Sequence, residues 1–479
     1  MSLKAAAVSG AKWTTASSII SILVQFAQIA VLARLLEPED FGLMAMIMIV
    51  IGFAQIYADA GISSALIYRQ EATRETLSSL YFLNLFAGIA IFLIALLTMP
   101  LISIAFSEPR LKSLVPIAAI VFLIIPFGQQ FRVLLQRDLS FKILGTIEAG
   151  AAIAGAAAAI GTAILDFGVL SLIIGQIVSM LVATLALVIV GWHRWKPSWH
   201  FRILDLEGYF SFGLYQMGEK SVNFFNSRTD QLLLGVLLGP HSLGLYNLAW
   251  SLVIQPITRI NPILVRVAFP LFAKVQDDRN RLKRGYFFLV WILTAINGPL
   301  LIGFSAVATL FIPIFLGDRW TETISIVQIL AFVSFFRSIS NPIGSLFLAT
   351  GRADLGFKWN LLLLCLQPIA VFAGAHFGGL MGVAISVLVM QIVYIPLLYL
   401  LLIRTLLGAC LKEYIASFLP IFVISMVMGL VVLAISETAP ATPIFMLAAQ
   451  ITLGAIFYVV LCFLLQRKRI EEVRQLLLS

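Results

Sequence analysis

The chain has 479 residues, of which 61% are hydrophobic and only 11% charged, with a mean hydropathy of +1.03. Globular water-soluble domains carry about 25% charged residues, so this composition excludes a soluble enzyme or binding module and points to a membrane chain. The formal net charge of +9 comes from basic loops between apolar stretches and is not a nucleic-acid signal.

Stretches long enough to cross a bilayer as helices, about 20 residues each, follow one another along the chain. They fall near 13–34, 41–66, 77–105, 113–135, 142–165, 168–191, 209–238, 242–271, 285–316, 323–349, 357–375, 379–403, 412–435 and 443–465. This spacing predicts an all-α membrane protein of fourteen helices. The first stretch is too long for the apolar region of a signal peptide, and no small-residue cleavage site follows it. Of the 32 Lys and Arg, the outer loops hold only Arg34, Arg110, Lys112 and Arg319. The dense clusters, Arg194/Lys196/Arg202, Lys274/Arg279/Arg281/Lys283/Arg284 and Arg467/Lys468/Arg469, all fall on the opposite side. That asymmetry makes both termini cytoplasmic.

Three elements occur twice in the same order. Leu35-Leu36-Glu37-Pro38-Glu39-Asp40-Phe41-Gly42-Leu43 returns 202 residues later as Leu237-Leu238-Gly239-Pro240-His241-Ser242-Leu243-Gly244-Leu245. Pro126-x-Gly128 with Asp138-Leu139-Ser140-Phe141-Lys142 returns at 216 as Pro342-x-Gly344 with Asp354-Leu355-Gly356-Phe357-Lys358. Phe167-Gly168-Val169-Leu170 returns at 210 as Phe377-Gly378-Gly379-Leu380. The echoes mark two repeats of six helices, and an even number makes the copies parallel, about an axis along the membrane normal. The expected organisation is a six-helix bundle over 1–200, a second over 201–408, and two further helices with a basic tail over 409–479.

Little other chemistry is present. Cys365, Cys410 and Cys462 lack disulfide or zinc spacing, and the four histidines lack metal-ligand spacing, so no metal or cofactor is expected. The run Gly351–Lys358 brushes against a phosphate-binding loop but lacks Gly-Lys-(Ser/Thr), which leaves a tight inner turn and no ATPase. Short outer loops leave no room for a catalytic domain. In the fifth span, Gly150, Gly155 and Gly161 suggest a face for close helix packing. Pro126, Pro256, Pro262, Pro299 and Pro342 predict kinks or broken turns, with Pro256 and Pro262 bending the eighth span around Arg259.

Polar residues inside the spans carry the functional signal, because charge in hydrocarbon is costly. Glu219, Asn223, Asn226 and Asp230, at i, i+4, i+7 and i+11, fall on one stripe of the seventh span. Lys220 and Arg228 flank it. Ser17, Ser21, Gln25 and Gln28 form a stripe on the first span, and the 202-residue offset pairs Asp59 with Asn261. Lys220 lies about 18 Å into its helix at 1.5 Å per residue, and Arg259 and Arg337 are also deep. Two readings stand: interhelical hydrogen bonds and local ion pairs, or a water-filled cavity whose basic residues (Lys220, Arg228, Arg259, Arg266, Arg337) outnumber its acids (Glu219, Asp230).

At Leu32–Gly42, Ala58–Ile67, Arg228–Gly235 and Leu243–Ala249 the chain resembles the polysaccharide transporters. These are the Wzx-type flippases and exporters of lipopolysaccharide and exopolysaccharide, in the multidrug/oligosaccharidyl-lipid/polysaccharide superfamily. The resemblance covers essentially the whole chain. It implies a non-enzymatic secondary transporter of the bacterial inner membrane, carrying an oligosaccharide unit on undecaprenyl pyrophosphate from the cytoplasmic to the periplasmic leaflet by alternating access. Membrane lipids and the polymerase or export machinery are the implied partners, and nucleic acid is not. Lys220, Arg228, Arg259, Arg337, Asn223, Asn226, Gln25 and Gln28 are then candidate substrate-binding residues, and Asp59, Glu219 and Asp230 candidates for proton or sodium coupling. A lipid II-type flippase and a cation-coupled multidrug antiporter are the alternatives; the latter calls for an acidic rather than a basic cavity.

Fusions to side-specific reporters should place residues near 70, 140, 200, 280, 354, 408 and 472 in the cytoplasm. Those near 38, 108, 166, 240, 318, 377 and 440 should lie outside, and termini on opposite sides would overturn the parallel repeat.

Overall fold

A computed structural model describes residues 3–58, 73–206, 209–436 and 442–478. Every regular element among them is helical: α1 Leu3–Leu35, α2 Pro38–Ala58, α3 Arg74–Ala105, α4 Leu111–Ala119, α5 Val121–Arg137, α6 Phe141–Ile164, α7 Val169–Trp192 and α8 Tyr209–Lys274, then α9 Arg279–Phe315, α10 Thr323–Ser340, α11 Ile343–Ala349, α12 Ala353–Leu398, α13 Arg404–Leu407, α14 Leu411–Ser436, α15 Pro443–Leu465 and α16 Arg467–Leu478. This is what hydrocarbon demands, since it offers the backbone no hydrogen-bond partners. Among the described residues twelve helical stretches are long and apolar enough to cross a membrane, two of them 59 and 54 residues long.

Those two owe their length to glycines. Gly239 interrupts α8 with φ 77°, and Gly379 interrupts α12 with φ 56°. The left-handed region is open to glycine at little cost, and Pro240 then restarts the helix where its missing N–H is not needed. Elsewhere the prolines break less than expected. Backbone angles stay helical through Pro256 and Pro262, and Pro126 and Pro299 lie inside continuous helices. Of the five prolines expected to break helices, only Pro342 stands at a helix boundary, as the N-cap of α11.

The chain divides into two compact units, Met1–Gly244 and Leu245–Ser479. In the first, α1 packs along α6, and α6 along α7. The close approach of α6 and α7 is at Gly155, where a methyl group would sit 2.7 Å from the carbonyl oxygen of Gly175. Gly150 and Gly161 face open space, so the expected three-glycine face reduces to Gly155. At one end of the unit, Trp195 is buried between Tyr81 and Phe131, with ring centroids 5.8 and 5.7 Å away. In the second unit α14 and α15 pack on α9. Tyr458 Oη donates to the Ala295 carbonyl at 2.7 Å, and Gly298 admits the Ser425 side chain.

The structure corrects the register of two echoes. Ser140 N–H bonds the carbonyl of Leu135, and Arg352 N–H that of Phe347. Leu139 (φ 53°) and Gly351 (φ 67°) turn left-handed at matching points. The matching turns are therefore 212 residues apart and not 216. Asp138 caps the end of α5, whereas Asp354 lies in the first turn of α12. Likewise Gly168 (φ 54°, ψ −135°) matches Gly379 (φ 56°, ψ −139°) rather than Gly378.

The 202-residue echo keeps its register and acquires a contact. A methyl group on Gly42 would overlap the carbonyl oxygen of Pro240, and one on Gly244 would overlap that of Pro38. The two copies thus meet backbone to backbone, each glycine against the other's proline. Beside them Arg110 donates to Glu108 at 2.8 Å and to Glu39 at 3.2 Å. The Arg110 hydrogen bond holds the Glu108 carboxyl below the usual carboxylate range.

Gly42→Ala and Gly244→Ala should each lower the stability of the detergent-solubilised protein by ~1–3 kcal/mol, the usual cost of overpacking. Gly161→Ala, in open space on a helix, should be neutral or slightly stabilising. Equal melting temperatures for all three and the parent protein would disprove the backbone contact.

Candidate functional site

Tyr57 and Ser221 bring the last described turn of α2 against α8, their hydroxyl oxygens 3.0 Å apart. Ser221 Oγ also donates to the Met217 carbonyl at 2.8 Å. An aromatic cluster seals the same contact: Phe53 lies 5.3 Å from Tyr57, 5.8 Å from Phe224 and 5.1 Å from Phe225, between ring centroids. Gly52 gives the Phe224 ring its place, since an added methyl group would sit only 3.1 Å from it. Around this cluster Glu219 and Asn223 are exposed, while Lys220 and Asn226 are half-buried.

The upper part of the expected stripe departs from this surface. Asp230 is only 3% exposed, and its Oδ1 accepts from the Gln231 N–H at 2.9 Å. Arg228 is exposed and donates to Gln231 Oε1 one turn on. Glu219 and Asn223 therefore do not share a solvent face with Asp230. The cause is packing: the four-residue spacing aligns side chains along the axis, but Thr229, Asp230 and Gln231 all lie where the helix is covered. On α1, Gln25 is exposed, Ser21 and Gln28 are half-buried, and Ser17 is buried. Asp59 falls outside the described residues.

The second unit holds a separate group. The guanidinium of Arg337, on α10, lies 5.5 Å from the centroid of the Trp250 ring, on α8. Trp250 in turn stacks on Tyr246, with centroids 6.3 Å apart and planes 5° from parallel. A guanidinium over an indole face is attracted by the ring quadrupole, by ~0.5–2 kcal/mol depending on desolvation. Arg259 is exposed, and two residues on Asn261 is fully buried, accepting from Asn297 Nδ2 at 2.8 Å. Asn261 Nδ2 and Asn297 Oδ1 keep no partner. The side chain of Arg266 lies outside what is described.

The sequence had pointed to the cations and amides but not to Phe53, Tyr57, Phe224, Phe225 or Trp250. Aromatic residues are common in every span, and only contact singles out these five. No group of three or more His, Cys, Asp or Glu side chains is placed to hold a metal ion among the described residues.

The family described as "Polysaccharide biosynthesis protein" matches residues 31–325. The lipopolysaccharide biosynthesis protein WzxC of Escherichia coli (strain K12) is 34% identical over 438 residues, 90% of this chain and 89% of that one. The teichuronic acid biosynthesis protein TuaB of Bacillus subtilis (strain 168) is 34% identical over 468 residues, 95% and 94% of the two chains. Among solved structures, the lipid II flippase MurJ in an inward closed conformation gives a TM-score of 0.78 over 95% of this chain and 99% of that one. Its sequence identity is 15%, so that likeness establishes the fold alone. The chain belongs to the polysaccharide biosynthesis protein family, as a multi-pass membrane protein of all-α fold.

Proposed function

We propose that the protein is a flippase for an oligosaccharide unit linked to undecaprenyl pyrophosphate. It moves the unit from the cytoplasmic to the periplasmic leaflet of the bacterial inner membrane by alternating access, with both of its own termini cytoplasmic. The observation that carries this reading is the basic excess within the spans. Arg228 and Arg259 are exposed, Arg337 is held over Trp250, and Lys220 is half-buried. Of the acids proposed for the site, Glu219 is exposed and Asp230 buried. Basic side chains bind phosphate oxygens through charge-assisted hydrogen bonds, whereas a carrier of cationic drugs calls for the opposite sign. The relatives named for lipopolysaccharide and teichuronic acid biosynthesis support a glycan cargo.

A hydrated glycan head cannot cross about 30 Å of hydrocarbon without losing its water. A hydrated path through the protein removes that barrier while the polyprenyl chain stays in lipid. Gln25, Gln28, Asn223 and Asn226 supply donors and acceptors for sugar hydroxyls along it, and Tyr57 and Phe225 supply flat apolar faces. Division of the two longest helices at Gly239 and Gly379 gives fourteen crossings. The reciprocal contact of Gly42 with Pro240 and of Gly244 with Pro38 supports a two-fold relation between repeats, since only a two-fold makes a contact mutual. With no ATPase motif in the chain, net transport draws on consumption of the product outside or on an ion gradient. Glu219, Asp230 and Asp59 are the acids available to couple a proton or sodium ion.

Replacing Lys220, Arg228, Arg259 or Arg337 singly with Ala should reduce glycan export by on the order of tenfold in a strain lacking the native copy. Tenfold is about 1.4 kcal/mol, the low end of what a hydrogen bond to a charged group contributes. Membrane abundance, followed by immunoblot, should stay near normal. Export that falls only in step with abundance would make these residues structural.

Thiol labelling tests the hydrated path. With exposed Cys365, buried Cys410 and half-buried Cys462 first replaced, cysteine at Gln25 or Asn223 should react with a water-soluble maleimide. Cysteine at Ser17 (8% exposed) or Thr229 (7% exposed) should be protected. A position that faces lipid stays unlabelled, so protection of Gln25→Cys and Asn223→Cys would refute the path.

A further inference from the structure

A small open pocket lies among α2, α3 and α5, lined in part by Gln55, Asn84, Phe122, Pro126 and Gln129. Asn84 lies ten residues into α3, about 15 Å from its start, and Gln129 eight residues before the end of α5, about 12 Å from it, at 1.5 Å per residue. Asn84 and Gln129 thus lie at similar depth within a span some 30 Å thick, and Gln55 of α2 lines the same pocket. No lining side chain is charged among the described residues. Asn84 is 2% exposed, and its Oδ1 is buried with no hydrogen-bond partner, a costly state for an acceptor in this setting. Pro126 has no N–H, so the Phe122 carbonyl one turn back lacks its helical donor and remains an acceptor beside the pocket. Gly88 lets α3 approach that carbonyl, where a methyl group would overlap it.

We propose that this pocket is a subsite for the hydroxyl groups of one neutral sugar residue of the transported glycan. The assignment rests on the flippase reading above and deepens it. A carboxamide offers a donor pair and an acceptor in one plane, which matches neighbouring hydroxyls that each donate and accept. A pyrophosphate finds no cation here, and a bare cation finds no carboxylate. Charge recognition by Lys220, Arg228, Arg259 and Arg337 and hydroxyl recognition by this pocket are then separable.

The test measures binding to the purified full chain in nanodiscs, using undecaprenyl pyrophosphate with and without a single neutral hexose. The parent protein should bind the hexose-bearing lipid at least tenfold more tightly. Asn84→Leu and Gln55→Leu should abolish that preference and leave affinity for the sugarless lipid unchanged. Gln55 is exposed, so its substitution spares the fold, and a melting curve checks Asn84→Leu. If both variants keep the preference, the pocket holds only water and the subsite is wrong. A parent protein that binds both lipids equally well also overturns the subsite, while the flippase reading survives. A parent protein that binds neither lipid overturns the flippase reading and the sugar assignment with it.

Discussion

Hydrocarbon cannot hydrogen-bond the backbone, and the rest of this structure follows from that constraint. Each peptide group inside the membrane must be satisfied by its own helix or by something specific in its place. Hence the described chain is helical from Leu3 to Leu478, with interruptions confined to a few sites. Several of the sharpest breaks use glycine at positive φ, at Gly168, Gly239, Gly351, Gly379 and Gly408. Helix association, without a hydrophobic drive in lipid, then relies on close contact between small residues. Gly155 meets Gly175, Gly374 meets Gly382, and the Gly42–Pro240 and Gly244–Pro38 contacts bring two non-adjacent segments together by their backbones.

The same constraint sorts the charges. Near the ends of the spans they are mostly neutralised locally: Arg110 by Glu108 and Glu39, Arg194 by Asp138, Lys283 by Glu413. Between α5 and α6, Arg132 pairs with Glu148 at 3.1 Å. Exposed pairs of this kind add little stability, typically ~0–1 kcal/mol. The residues that depart from this pattern are the informative ones. Arg259 stands exposed on a long apolar helix, and Asn84 is buried with an acceptor unused. Each is tolerable only beside water or a ligand, which is why a transport path and a sugar subsite are sought there.

Much of this was legible beforehand. Span positions follow from hydropathy over windows of about 20 residues, a signal that accumulates along each segment. The copies of Leu-Leu-x-Pro-x-x-(Phe/Leu)-Gly-Leu were read in the right register because proline and glycine there have steric jobs that few substitutes can do. The Asp-Leu-x-Phe-Lys echo misled by one helical turn. Its residues are soluble turn formers that serve equally well as the C-cap of α5 or the first turn of α12, so likeness of letters did not fix likeness of place. The glycines at 378 and 379 differ by one position for a similar reason, since backbone angles and not side chains decide which of them bends.

The sequence by itself determined that the chain is an all-helical membrane protein with internal echoes and basic residues deep in its spans. Composition and periodicity are properties of segments, and a bilayer reads them one segment at a time. Only the tertiary structure decided which polar residues are presented and which are covered: Glu219 and Asn223 outward, Asp230 inward, although one helical stripe contains all three. It also decided that Trp250 lies beneath Arg337, that Phe53 and Tyr57 meet Phe225 and Ser221, and that Gln55, Asn84 and Gln129 share a pocket. A helical pattern fixes directions around its own axis, but the neighbour that fills each direction comes from a distant part of the chain.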